Sequence, residues 1–311
     1  MNKICQFGWY RDFNGYLKNI FGQRVQKIAI DAGLGCPNRD GIISSGGCIY
    51  CGASGSGTGA FVKDNLSVKE QIFRGREILK KRYGAKLFMS YFQSYTNTYA
   101  PIGVLKKLYE EALKYDDIVG LCVGTRPDCI EEAILDILAS YIPEKQVWLE
   151  LGLQSSHNKT LNFINRGHSV EDFEAAFYKA KSRNLLVCAH IILGLPGETA
   201  EMMLDTARFL GRLPIDGVKI HNLYVLEGTV LAEMLLQHKI FLSMGQTEYA
   251  ELAAGFLELL PQNVIIQRLT GDPPAEGVIF PNWALEKQIT LKLIKESLMK
   301  RKTFQGAKFS Y

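Results

Sequence analysis

Val147-Trp148-Leu149-Glu150-Leu151-Gly152-Leu153-Gln154 alternates between two kinds of residue. Val147, Leu149, Leu151 and Leu153 fall on one face of an extended strand; Trp148, Glu150, Gly152 and Gln154 fall on the other, because successive strand side chains point to opposite sides. Gln146–Gln154 is therefore a strand with an aliphatic face and a small-plus-polar face. Other strands repeat the division. Around Ile118–Thr125 the alternate set is Gly120, Cys122, Gly124 and Arg126. In Leu186–Leu193 it is Cys188, His190, Ile192 and Gly194, and in Gly217–Leu223 it is Lys219, His221 and Leu223. A closed barrel normally fills its interior with bulky branched side chains. Glycine and cysteine here leave a void, bordered by Glu150, Gln154, His190, Lys219 and His221. The pattern predicts a barrel that is partly open and holds a group inside. An open doubly wound sheet competes with it, its small residues merely admitting close helix packing.

Strand patterns at Lys27–Asp31 and Lys86–Gln93 precede these. Helical patterns follow the strands, near Val68–Tyr83, Ile102–Tyr115, Ile130–Tyr141, Asn158–Ile164, Val170–Asn184 and Thr199–Leu213. Six strands each followed by a helix argue for parallel pairing with helices on one side. After Leu223 the rhythm weakens. Leu226–Met244 reads as helix and connection, Thr247–Leu260 as helix, and Val264–Leu269 as a short strand. Arg268–Pro274 looks like a loop closing over something, and Leu285–Lys302 is a helix, apolar at Leu285, Ile289, Leu293, Ile294 and Leu298. The expected class is α/β: a partial (β/α)6 barrel in 1–225, with an N-terminal extension 1–26, and an α-rich C-terminal extension 226–311 packed on the barrel.

The loop after the first strand carries the chemistry: Gly35-Cys36-Pro37-Asn38-Arg39, then Gly46-Gly47-Cys48-Ile49-Tyr50-Cys51-Gly52. Barrels of this class place active sites at that end of the strands. Three thiolates can hold three irons of a [4Fe–4S] cluster and leave the fourth iron open to a small ligand. Gly33, Gly35, Gly41, Gly46, Gly47, Gly52, Gly55, Gly57 and Gly59 let the backbone approach such a cluster. The alternative is zinc on Cys36, Cys48 and Cys51 with a distant His157 or His168, although no second paired-ligand motif is present. A redox pair at Cys48 and Cys51 leaves Cys36 without a role. Cys5, Cys122, Cys129 and Cys188 are scattered, and Cys122 and Cys188 read as small buried strand residues.

A composition of 47% hydrophobic and 22% charged residues is that of a soluble globular chain. No apolar run approaches a membrane span, and the N-terminus lacks the apolar core of a signal peptide, which points to the cytoplasm. Seven cysteines, an odd number, suit metal binding in a reducing compartment. The net charge of +4 gathers at the termini. Lys287, Lys292, Lys295, Lys300, Arg301, Lys302 and Lys308 are opposed by Glu286 and Glu296; Lys3, Arg11, Lys18, Arg24 and Lys27 are opposed by Asp12. Such patches attract phosphate backbones, or else form a solvated helix face.

Taken together the chain resembles the radical S-adenosylmethionine superfamily. Tyr50 stands where that family has an aromatic residue before its last cysteine. Eleven residues separate Cys36 from Cys48, instead of the usual three. This spacing is similar to that of the branch containing the Elongator catalytic subunit and bacterial proteins of about this length. Further motifs of the likeness are Tyr91–Tyr99, Gly124–Asp128, Glu150–Ser155, Asn165–His168 and Gly194–Thr199.

The resemblance implies the family's incomplete (β/α)6 barrel, with Cys36, Cys48 and Cys51 on the cluster and S-adenosylmethionine on the open iron. It implies reductive cleavage of that cofactor to methionine and a 5′-deoxyadenosyl radical, which takes hydrogen from a substrate C–H bond. Tyr50 stands as an adenine contact, and Gln93 and Ser94 stand in the loop that binds the methionyl amino group, without its usual Gly-Gly-Glu. Glu150 and Gln154 suit ribose or amino-acid groups, Arg126 and Arg166 a carboxylate or phosphate or else a structural ion pair, and Gly194 and Gly197 a turn against the adenosyl moiety. His190, Lys219 and His221 are candidates for substrate contact or proton transfer. The implied partners are tRNA, at a wobble uridine, and an electron donor such as flavodoxin or ferredoxin, with no membrane. There is no room for Elongator's acetyltransferase domain, so acetyl transfer is not implied. Porphyrinogen or other small-metabolite oxidation is a rival reading, and a zinc-bound nucleic-acid module is the non-enzymatic one. Methylthio transfer is disfavoured by the want of a second three-cysteine set.

Overall fold

The computed structural model describes residues 8–52, 55 and 66–310. Lys3, Cys5, Gly57 and Gly59 lie outside the described residues. Nine strands occur in chain order among the described residues: β1 (Val25–Ile30), β2 (Leu87–Phe92), β3 (Ile118–Thr125), β4 (Gln146–Gln154), β5 (Leu186–Leu193), β6 (Gly217–Asn222), β7 (Val225–Leu226), β8 (Ile265–Arg268) and β9 (Val278–Phe280). The helices are α1 (Phe13–Phe21), α2 (Val68–Tyr83), α3 (Ile102–Leu113), α4 (Glu132–Ser140), α5 (Asn158–Phe163), α6 (Val170–Lys181), α7 (Ala200–Arg212), α8 (Val230–Leu236), α9 (Gln246–Leu259) and α10 (Lys287–Lys300). Side-chain caps fix several starts: Ser67 with Glu70 and Ser169 with Asp172 form capping boxes, and Thr199 accepts from the Met202 amide.

One parallel sheet runs β1-β2-β3-β4-β5-β6-β8, and β7 pairs with β9 separately. The expected partial barrel is present, with one strand more than the βα rhythm suggested. The Val264–Leu269 strand pairs parallel with β6 as β8, with α9 supplying the crossover helix. Parallel neighbours need such a connection. The edges β1 and β8 do not pair; Asp12 bridges to Ile266, and α1 packs against both edge strands. The barrel is therefore half-closed, with α1 plugging the end where the strands begin.

The two strand faces build two cores. Leu149, Leu151, Leu153, Val187, Ile191 and Ile220 bury outward against Phe173, Phe177, Leu210, Tyr249 and Phe256. Inward, Met89, Cys122, Trp148, Cys188 and Ile265 pack with Leu17, Phe13 and Tyr16 of α1. Trp148 is fully buried and meets Phe13 edge-on at 5.5 Å. A Cβ on Gly217 would stand 3.0 Å from its ring. The small inward residues thus serve two ends: at the strand starts they make room for one large ring, and only at the strand ends do they leave a void.

At the C-terminus α10 packs on α9 through Ile294 and Leu298. Leu285 and Ile289, expected on the apolar face, are instead half exposed. Among the described residues no helix is long and apolar enough to cross a membrane.

Candidate active site

Cys36, Cys48 and Cys51 line one cavity at the C-terminal end of the strands, with Tyr50, Gln93, Glu150, Gln154, Arg166, His190, Lys219 and His221. The cysteine loop leaves β1 and is held by its own polar side chains. Asn38 Nδ2 donates to Cys48 Sγ at 3.6 Å and to the Asn165 carbonyl at 2.6 Å. Arg39 Nη1 donates to Cys51 Sγ at 3.5 Å and to the Gly52 carbonyl at 2.8 Å. The Cys51 amide donates to the Cys48 carbonyl at 2.9 Å. Burial, and then the charge at Cys48, pushes the Cys51 thiol up to about 11.

A second loop, Asn165-Arg166-Gly167-His168, clamps this one to β4. Asn165 Nδ2 donates to Ser44 Oγ and the Gly47 carbonyl. Arg166 donates from Nη1 to Cys48 Sγ at 3.6 Å and from Nη2 to the Gly152 carbonyl at 2.9 Å. Two glycines make the approach feasible. A Cβ on Gly152 would lie 2.5 Å from Arg166 Nη2, and one on Gly167, where φ is +75°, 2.4 Å from Asn38 Oδ1. The ring nitrogens of His168 meet the Ser169 and Gly152 carbonyls, and His157 Nε2 meets the Met202 carbonyl. Both histidines of the zinc alternative thus face main-chain oxygens.

Deeper in the barrel, Glu150 is the hub. Its Oε1 accepts from Lys27 at 2.5 Å; its Oε2 accepts from Lys219 and, at 2.7 Å, from His190 Nε2. Lys219 also donates to the Tyr91 hydroxyl at 3.0 Å. Burial alone would push the Glu150 carboxyl up, but Lys219, Lys27 and His190 outweigh it and hold it well below the usual range. Burial drives Lys219 down to about 8 against the pull of Glu150. Burial and the Lys219 charge drive His190 down to about 4, and burial and Arg268 depress His221 as well. The rings of His190 and His221 lie 5.5 Å apart.

Several expectations change. Glu150 is not a free acceptor for a cofactor, since its oxygens are already occupied by cations. Lys27, counted with the terminal surface charges, points inward. Arg126 forms a two-point pair with Asp128 at 2.9 and 2.8 Å, leaving only Nη1 unpartnered among the described residues. Ser94 is buried but does not line the cavity. Gly194 and Gly197 line a different cavity, with Met203, Met244 and Arg301, because the turn after β5 bends towards α7 and α9. Arg268 lines the main cavity, and its following loop is tied down by Asn222, which accepts from Thr270 and Gly271. Asn38, Arg39, Asn165 and His168 stand in motifs already quoted, but nothing in a linear motif shows which atoms reach a sulfur.

The donor set fits an iron–sulfur cluster with a polar ligand beside it. Arg166 is buried and, among the described residues, has no carboxylate in direct contact; its partners are a sulfur and a carbonyl. A buried guanidinium needs a counter-charge, which an anionic cysteinate supplies. Thr96 Oγ1, Arg126 Nη1 and Arg166 Nε are buried cavity-lining donors without a partner among the described residues. They suit the carboxylate and hydroxyl groups of such a ligand.

Comparison with known proteins agrees with this chemistry. Residues 33–210 match the Radical SAM superfamily, and residues 215–300 match the Radical SAM C-terminal domain. The uncharacterized protein YtqA of Bacillus subtilis is 39% identical over 302 residues, 96% of this chain and 92% of that one. A tRNA uridine(34) acetyltransferase of Methanocaldococcus infernus is 34% identical over 182 residues, 56% of this chain and 33% of its own length. The structure of archaeal Methanocaldococcus infernus Elp3 superposes with a TM-score of 0.68 at 22% identity, covering 90% of this chain and 64% of that one, which speaks for the fold. With a matching superfamily domain over the barrel and a relative this similar over nearly its whole length, the chain belongs to the radical S-adenosylmethionine superfamily, enzymes that use a [4Fe–4S] cluster and S-adenosylmethionine.

Proposed function

We propose that this radical S-adenosylmethionine enzyme modifies a wobble uridine of tRNA. The observation that carries the substrate class is the 34% identity to a tRNA uridine(34) acetyltransferase over 182 residues. Acetyl transfer is not part of the reading, because the matched stretch is a third of that relative. Cys36, Cys48 and Cys51 hold the cluster. Tyr50, Gln93 and Gln154 lie against the cofactor, and Thr96, Arg126 and Arg166 offer it donors. When bound, the cluster and cofactor supply reductive cleavage of a C–S bond and hydrogen abstraction from an unreactive carbon.

The chain's own residues do the rest. His190 donates from Nε2 to Glu150 and is neutral at pH 7, so its Nδ1 carries a lone pair that can accept a hydrogen bond from a substrate group. Lys219, with a value of about 8, can hold or release a proton close to physiological pH. His221 lines the same cavity, its ring 5.5 Å from that of His190. A small reduced electron carrier such as flavodoxin or ferredoxin supplies the electron. The test is mass spectrometry of bulk tRNA nucleosides from a strain lacking the gene. One modified uridine should vanish or be replaced by its precursor, and should return with the wild-type gene but not with Cys48→Ala. An unchanged nucleoside profile would refute the tRNA assignment.

A further inference from the structure

We infer that two guanidinium groups, chiefly that of Arg166 and secondarily that of Arg39, set the reduction potential of the cluster by offsetting the charge on Cys48 and Cys51. The inference rests on the reading of these cysteines as ligands. The three cysteines are not equivalent. Cys48 Sγ receives two donors, Arg166 Nη1 and Asn38 Nδ2, both at 3.6 Å. Cys51 Sγ receives Arg39 Nη1 at 3.5 Å. Arg166 is held for this contact at its other end by the Gly152 carbonyl at 2.9 Å, and Gly152 has no side chain to block it.

Reduction adds one negative charge to the cluster. A fixed, buried positive charge against a ligand sulfur stabilises the reduced form more than the oxidised one and raises the potential, as do hydrogen bonds to sulfur. Arg166 is the stronger contributor because it is buried, whereas Arg39 is half-buried and screened by water. In this sense Arg166 is a positioning residue: it acts through Cys48. Its effect is to keep the cluster within reach of a biological electron carrier.

The experiment is a mediator-based dithionite titration of the anaerobically reconstituted full chain, without S-adenosylmethionine, followed by the reduced-cluster EPR signal. In Arg166→Gln, loaded to wild-type iron content, the reduced-to-oxidised ratio at a fixed potential should fall about tenfold, which is 59 mV for a one-electron couple. Arg166→Lys, which keeps the charge, should fall less, and Arg39→Gln should fall in the same direction by a smaller factor. Arg183→Gln, a surface residue paired with Asp136, serves as the control and should not move. A purely structural role for Arg166 would reduce iron loading while leaving the potential of the loaded fraction unchanged; that result would overturn the inference. If Arg166→Gln loads no iron, Arg39→Gln decides, and an unshifted potential there overturns the inference. Wild-type protein that loads no iron would overturn the cysteine reading and this inference with it.

Discussion

Replacing Glu150 by Gln removes the carboxylate that faces Lys27, Lys219 and His190. Its side chain is 0% exposed, and those of Lys219 and Lys27 are 5% and 19% exposed. Lys27 keeps the Gln267 oxygen at 2.6 Å and some water, whereas Lys219 keeps the Tyr91 hydroxyl. Most of the penalty therefore falls on Lys219. Removing one partner of a buried ion pair costs about 3–5 kcal/mol. The sign of the pH dependence follows from linkage. Lys219 binds its proton with a value of about 8 in the folded wild type and 10.5 when unfolded; without Glu150 the folded value drops further. Below pH 8 the variant alone gains stability with pH, and between pH 8 and 10.5 variant and wild type gain together. The penalty therefore shrinks as pH rises to about 8 and is constant above it, and is smaller at pH 9.5 than at pH 7. Adding Lys219→Met to Glu150→Gln should recover about half or more of the loss, since a buried pair replaced by apolar groups is nearly neutral. Urea unfolding midpoints at pH 7 and 9.5, on proteins of equal iron content, measure all of this. A Glu150→Gln midpoint equal to wild type, or a penalty that ignores pH, would refute the hub and return Glu150 to the role of a cofactor contact.

Further outcomes follow from the same geometry. Gly167→Ala places a Cβ at φ +75° and 2.4 Å from Asn38 Oδ1; it should cost about 1–3 kcal/mol and lower the iron retained after reconstitution, and undiminished iron would show that the clamp is dispensable. Cys36→Ala, Cys48→Ala and Cys51→Ala should each lose the cluster signal, while Cys122→Ala, fully buried in the lower core, should keep about four irons per chain; iron assay and EPR check both. His190, held near 4 when folded against 6.5 unfolded, makes unfolding take up a proton between those values. Stability should then rise from pH 4 to 6.5 by up to about 3 kcal/mol, and His190→Gln should flatten that slope in urea titrations. Arg301 is tied to the Glu251 carbonyl and to Glu258, so the terminal tRNA contact is better tested with Lys295, Lys300 and Lys302. Changing these three to Gln should reduce the log–log salt slope of tRNA binding by about one unit for each phosphate that is no longer neutralised; an unaltered slope and affinity in filter binding would remove α10 from the interface.

The period-two pattern of Gln146–Gln154 was enough to give the strand, its two faces and, with its neighbours, a barrel with room inside, because strand side-chain direction is a local property of the backbone. β3, β4 and β5 have the bounds their patterns predict. The cysteine loop and its chemistry were legible for a similar reason: ligand type and spacing are properties of one short segment. What the sequence could not say is which distant groups meet. Lys27, in the first strand, looks like a surface charge, and Lys219, in the sixth, like a cavity residue without a stated partner, until β1 and β6 curve round to face Glu150. Trp148 fills the lower barrel only because α1 closes that end. Arg166 reaches Cys48 across 118 residues of sequence, through a gap left by Gly152. The Val264–Leu269 segment became a sheet strand because β6 offered an unpaired edge that had to be hydrogen-bonded. Gly194 and Gly197 turned away because backbone direction after a strand is set by the helix it must enter, here α7. Periodicity and spacing are written along the chain; partners for buried charge are chosen only when the sheet curls and desolvation makes each choice costly.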